Sequence, residues 1–229
     1  MMQTIGIICA CKSELEPFLA HIENRKTTEK AKLMFHTGRV GQVPVVAVQC
    51  GICKVNAALA TQILIDTFHV DKVINSGTAG GMDPALQIFD TVICERVCYH
   101  DVGEDILTEE YPYMDSVYFE SDAKLLALAK HAGSHCDGRI FFGTMVTGEQ
   151  FIEDERRDEI NRRFAPLCVD METAGIAHAC YINDVPFLAV RTITDTAEHK
   201  GLDVYSDNSD RAGKIAAEIV LKMLHGNNE

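Results

Sequence analysis

The stretch Cys168 to Asp195, CVDMETAGIAHACYINDVPFLAVRTITD, decides the reading of this chain. A short apolar run ends in Asp170-Met171-Glu172, and a helical segment of small residues follows, Thr173 to Asn183. Asn183-Asp184-Val185-Pro186 breaks it as a turn. A second apolar run, Phe187 to Val190, ends in Arg191-Thr192-Ile193-Thr194-Asp195. Strand, helix and strand in this order predict a βαβ unit with parallel strands. Glu172 and Asp195 would then stand side by side at the carboxyl edge of the sheet, where open α/β folds bind ligands. Two carboxylates with an arginine between them are acid/base candidates. A carboxylate after a strand is also an ordinary helix cap or first-turn residue, so neither is decisive alone.

The chain has 229 residues, 47% hydrophobic and 24% charged, as expected of one globular α/β domain over 1–229. The net charge of −13 argues against a nucleic-acid surface, which needs a basic face. It leaves room for a small neutral nucleoside. The apolar run Ile5 to Cys11 is too short for a signal peptide or a membrane span, which predicts a soluble cytoplasmic protein. Nine cysteines, several inside strand-like runs, read as reduced structural thiols. Cys50-Gly51-Ile52-Cys53 lacks the partners of a zinc site, so neither metal nor cofactor is expected.

Working outward, Thr4 to Ala10 reads as a buried strand, and Ser13 as the cap of a helix to about His21, with Glu14 in its first turn. Leu33 to Thr37 and Val43 to Val48 read as a hairpin turned by Gly38 and Gly41. A helix should run from Val55 to about Phe68. Val73 to Asn75 reads as a short strand before a glycine-rich loop, Ser76 to Gly81, of a kind that can let backbone amides approach a ligand closely but is weak evidence alone. Strands are expected at Thr91–Cys98 and Arg139–Val146, with a functional or interfacial loop from Tyr99 to Glu120. Ser121–Ala132 reads as a helix, Glu153–Phe164 as a charged helix with a solvated face, and Ala212–Leu224 as a final helix. Phe151 is a candidate stacking platform for a base, or an aromatic plug.

Taken together, seven segments resemble the 5′-methylthioadenosine/S-adenosylhomocysteine nucleosidases of the nucleosidase and purine nucleoside phosphorylase superfamily. They are Gly6 through Glu14, Gly51 to Val55, Asn75 to Gly81, Tyr99 to Val102, Gly148 to Ile152, Asp170 to Glu172 and Arg191 to Asp195. The resemblance implies a three-layer α/β fold with a twisted mixed sheet flanked by helices, and hydrolysis of an adenine N-glycosidic bond without a cofactor. It implies Asp195 as the general acid at adenine N7 and Glu14 as the base for water. Glu172 would hold the ribose hydroxyls beside the Met171 backbone, with Arg191 orienting the carboxylate. Phe151 would stack on the base and the Ile152 backbone read its edge. Thr78 stands near the acid where serine is usual, Ile52 belongs to the substrate-binding set, and Tyr205 stands where a phenylalanine closes the site. The resemblance also implies a homodimer, with the loop Tyr99 to Glu120 near its interface and lining the pocket for the 5′-substituent.

Several positions depart from the pattern: Cys9, Cys11, Cys53, Asp170 and the run Gly103 to Leu107. They leave the 5′ group open. Two other readings stay in view. A phosphorylase of the same superfamily would need arginines by the loops at Gly6 and Gly77, which carry none. A nucleoside-binding protein without catalysis would not need three carboxylates.

Overall fold

The structure, a computed structural model, describes residues 3–226. Among them are ten strands, β1 (Ile5–Cys9), β2 (Glu23–Lys30), β3 (Leu33–Val40), β4 (Val43–Gln49), β5 (Lys72–Gly81), β6 (Thr91–Tyr99), β7 (Phe119–Glu120), β8 (Ile140–Thr147), β9 (Cys168–Asp170) and β10 (Phe187–Asp195). Seven helices accompany them, α1 (Lys12–Leu19), α2 (Lys54–Phe68), α3 (Glu104–Thr108), α4 (Ala123–Gly133), α5 (Asp154–Phe164), α6 (Thr173–Ile182) and α7 (Leu202–Gly226).

The strands form one mixed sheet between two helical layers. Alternation along β1 shows why: Ile8 joins the core under α2 and α6, while Ile5 and Ile7 join the core under α1, α4 and α7. β5 repeats the pattern, with Val73 on the first side and Ile74 on the second. The expected three layers and mixed sheet are present.

The sheet also bends back on itself. β5 pairs with β10 along one edge, and the path β10-β6-β8-β9 returns to β5 on the other. On that second edge β1 takes Lys72 to Asn75 and β9 takes Gly80 and Gly81. The stretch of β5 between them is left open to other partners.

This topology corrects the expected parallel βαβ unit. β9 lies antiparallel to β5 and β10 parallel to it, so β9 and β10 run in opposite senses on either side of β5. Glu172 reaches the site because β9 carries the chain back along the open edge, not because two strand ends coincide. The glycine-rich stretch Ser76 to Gly81 is likewise strand, not loop. Glycine is needed there for close approach, since a β-carbon at Gly77 would lie 2.5 Å from Glu14 Oε1.

Other boundaries moved for physical reasons. β2 is exposed along its whole length, so it has no apolar alternation to announce it. Gly38 lies within β3, and the turn falls at Gly41, which has φ +56°. α1 is capped by Cys11 rather than Ser13. The 99–120 segment holds α3 and β7 as well as loop. α7 starts at Leu202, far earlier than its apolar half shows. No helix among the described residues is long and apolar enough to cross a membrane.

Candidate active site

At the open edge of β5, an unpaired strand N–H needs an acceptor. Thr78 N–H finds it in Glu14 Oε1 at 2.8 Å, and the Thr78 hydroxyl donates to the same oxygen at 2.9 Å. Glu14 is in the first turn of α1, which follows β1 directly, and is 2% exposed. Its other oxygen accepts from Ala10 N–H at 2.8 Å and Cys11 N–H at 3.2 Å. Four donors on two oxygens suit a group that only accepts, and they fix its direction.

Beneath this edge lies Arg191, the largest fully buried side chain among the described residues. Its Nη2 is 2.6 Å from Asp170 Oδ2 and donates to Glu172 Oε2 at 3.1 Å. Its Nη1 lies 3.8 Å from Glu14 Oε1. The three carboxylates hold the guanidinium charged against the cost of its burial. Thr173 Oγ1 accepts from Arg191 Nε at 3.2 Å and donates to Asn75 Oδ1 at 2.8 Å, so β5, β10 and α6 share one polar network. Asp170 takes further donors from Thr147 Oγ1 at 2.6 Å and Thr173 N–H at 3.2 Å.

Glu172 sits between this network and α2. Its Oε1 accepts from Cys53 N–H at 3.0 Å, at the amino end of the helix, where the dipole favours a carboxylate. Burial raises its pKa to about 7; Arg191 pulls the other way, and Asp170 adds to the rise. Cys53 holds this geometry at φ +82°, a region in which glycine is the unstrained residue.

Asp195 ends β10 level with Gly80 and is 2% exposed. Its Oδ1 accepts from Thr194 Oγ1 at 2.8 Å, and its Oδ2 lies 3.9 Å from Arg157 Nη2. Burial raises its carboxyl pKa, against the hydroxyl of Thr194 and the charge of Arg157. The expected arginine between Glu172 and Asp195 therefore needs correcting. Arg191 serves Glu14, Asp170 and Glu172, while the cation beside Asp195 is Arg157 from α5.

These groups meet on one cavity of about 230 Å³. Glu14, Ile52, Thr78, Phe151, Ile152, Met171, Glu172, Asp195 and Tyr205 all line it. Arg191 does not and acts from behind the wall. Phe151 and Tyr205 meet edge to face at the mouth, ring centroids 6.2 Å apart, and burial pushes the Tyr205 phenol up to about 12. Among the described residues lining the cavity there is no lysine or arginine. No group of side chains suited to a metal ion occurs among the described residues.

The sequence reading missed Asp170 as the anchor of Arg191, Thr194 as the donor to Asp195, and Arg157. Asp170 was legible as part of the same Asp-Met-Glu segment. Arg157 was hidden in a helix whose charge density suggests solvent, yet it is only 5% exposed.

The sequence profile of the Phosphorylase superfamily matches residues 4–225. The 5′-methylthioadenosine/S-adenosylhomocysteine nucleosidase of Geobacillus thermodenitrificans is 36% identical over 226 residues, covering 96% of this chain and 95% of that one. The enzyme of the same name from Bacillus subtilis is 34% identical over 226 residues, covering 96% of this chain and 97% of that one. The crystal structure of the S-adenosylhomocysteine nucleosidase of Streptococcus pyogenes, in complex with 5-methylthiotubericidin, superposes with a TM-score of 0.91 at 30% identity, covering 98% of this chain and 97% of that one. This chain belongs to the phosphorylase superfamily and, within it, to the 5′-methylthioadenosine/S-adenosylhomocysteine nucleosidase family.

Proposed function

We propose that this protein hydrolyses the N-glycosidic bond of 5′-methylthioadenosine and S-adenosylhomocysteine, releasing adenine. One observation carries the choice of water as nucleophile. The cavity presents Glu14, Asp170, Glu172 and Asp195 and, among the described residues, no cationic side chain. A phosphate nucleophile needs charge-assisted donors. Arg191, the nearby candidate, is fully buried and committed to Asp170 and Glu172. The same carboxylates suit a substrate whose sugar becomes cationic as the bond breaks.

In this reading Asp195 donates its proton to adenine N7 while the C1′–N9 electron pair moves into the base. A raised carboxyl pKa favours the protonated form that this needs. Water adds to C1′ and gives its proton to Glu14. The Thr78 hydroxyl, a rotatable donor on Glu14 Oε1, yields its place to that water. Glu172, held between Arg191 and the amino end of α2, takes the ribose hydroxyls beside the Met171 backbone. Phe151 stacks on the base, the Ile152 backbone reads its edge, and Ile52 and Tyr205 close the walls.

A homodimer belongs to the same reading. It is supported by exposed apolar side chains at Ile52, Val55, Leu59 and Ile106, along one end of α2 and the 99–120 segment. So does a cytoplasmic setting, which nine free cysteines support. The test is adenine release from either nucleoside by the purified protein in phosphate-free buffer. A rate unchanged by added phosphate is the expected result, and no cleavage without phosphate overturns it.

A further inference from the structure

We propose that Arg157 is a positioning residue for Asp195: its buried guanidinium fixes where that carboxyl points and sets the upper pH limit of the reaction. The inference rests on the reading of Asp195 as the general acid.

Arg157 projects from α5, whose other described charged side chains are exposed, and is itself 5% exposed. Its Nη1 donates to the Gly81 carbonyl and lies 3.5 Å from Met82 Sδ, so its place is set by the end of β5. Asn161, one helical turn further on, donates to Met82 O at 3.2 Å and docks the same helix. Arg157 Nη2 is then 3.9 Å from Asp195 Oδ2. That is beyond hydrogen-bond length, so the guanidinium acts on Oδ2 as a charge. Thr194 Oγ1 occupies Oδ1. The carboxyl is thus steered at both oxygens.

Other groups surround Asp195 without replacing this cation. Glu14 from α1, Cys11 at its cap, Asp170 and Glu172 from the β9 end and Tyr205 from α7 line the same cavity, and each is neutral or negative. Arg191, on β10 itself, faces Glu14, Asp170 and Glu172. Burial favours a protonated Asp195; the Thr194 hydroxyl and Arg157 oppose it. The balance keeps the acid able to give its proton up and to regain it at the next turnover.

The test is the pH profile of kcat for adenine release by wild type, R157Q, R157K and N161A, with folding checked by circular dichroism. The rate falls on the alkaline side as Asp195 loses its proton. Removing the cation should move that fall to higher pH, by roughly 1–3 units in R157Q. R157K should move it the same way by less, because one ammonium cannot serve both Gly81 and Asp195. N161A loosens the same helix but keeps the guanidinium, and should leave the fall in place. An unmoved fall in either folded Arg157 variant, or an equal movement in N161A, overturns the proposal. If R157Q does not fold, R157K decides alone. D195N separates the two claims: near-wild-type turnover there defeats the acid reading, whereas loss of turnover with an unmoved fall in the Arg157 variants defeats this inference only.

Discussion

Gly77 faces Arg191 so closely that a β-carbon on Gly77 would overlap the Arg191 Nη1 atom. The same β-carbon would lie 2.7 Å from Glu14 Cδ. One glycine on β5 therefore lets a buried guanidinium and a buried carboxylate approach the strand closely.

Gly77→Ala should push both groups away. Overpacking of this kind costs about 1–3 kcal/mol, so the variant should fold with a lowered denaturation midpoint. Turnover should fall more than substrate binding, because the displaced groups bear on water and the sugar rather than on the base. A variant with wild-type kcat would show that Arg191 and Glu14 do not need their present positions.

Glu14→Gln removes the proposed proton acceptor while keeping the shape. It should lower kcat by roughly 10²–10⁴-fold, the usual worth of a positioned acid or base. Asp195→Asn should do the same by removing the proton donor. Steady-state adenine release measures both, and turnover near wild type in either would remove that residue from its assigned role.

Glu172 carries a pH signature of its own. Its pKa rises from 4.5 to about 7 in the folded chain, so between these values the folded state holds the proton more tightly than the unfolded one. Stability therefore falls as pH rises through this window, by up to about 3 kcal/mol from this group. Glu172→Gln should flatten that part of the slope. Urea denaturation at pH 5 and pH 7.5 reads it, and equal slopes in both proteins would contradict the assignment.

Base recognition gives a fourth expectation. On the proposed reading the Ile152 backbone would set its N–H on N1 and its carbonyl on the 6-amino group, which accepts adenine and meets the reverse pattern in hypoxanthine. A site built on such pairing rejects the mismatch by as much as ~10⁴-fold. Adenosine and inosine differ only in the base, so the ratio of their kcat/KM values isolates this effect. Comparable values would mean that Phe151 and Ile152 do not read the purine.

Much of this arrangement was legible in the sequence, because the site residues follow strand ends or sit in glycine-containing runs. Glu14 after β1 and Asp195 at the end of β10 are of this kind. The polar half of β10 was not legible as strand. Arg191, Thr192 and Thr194 are buried there, held by partners that lie far away in sequence. β9 was read as a strand, but its direction depends on which edge of β5 it meets, and no local pattern encodes that. Arg157 shows the opposite limit. Only one face of a charged helix turns inward, and its register against Gly81 and Asp195 exists only in the fold.

The identity of the sugar product tests the central claim most directly. Purified protein is given 5′-methylthioadenosine with and without inorganic phosphate, and the products are separated and weighed by mass spectrometry. The account predicts adenine and free 5-methylthioribose in equal amounts under both conditions. A 1-phosphorylated sugar that appears only with phosphate, and no cleavage without it, would contradict the account.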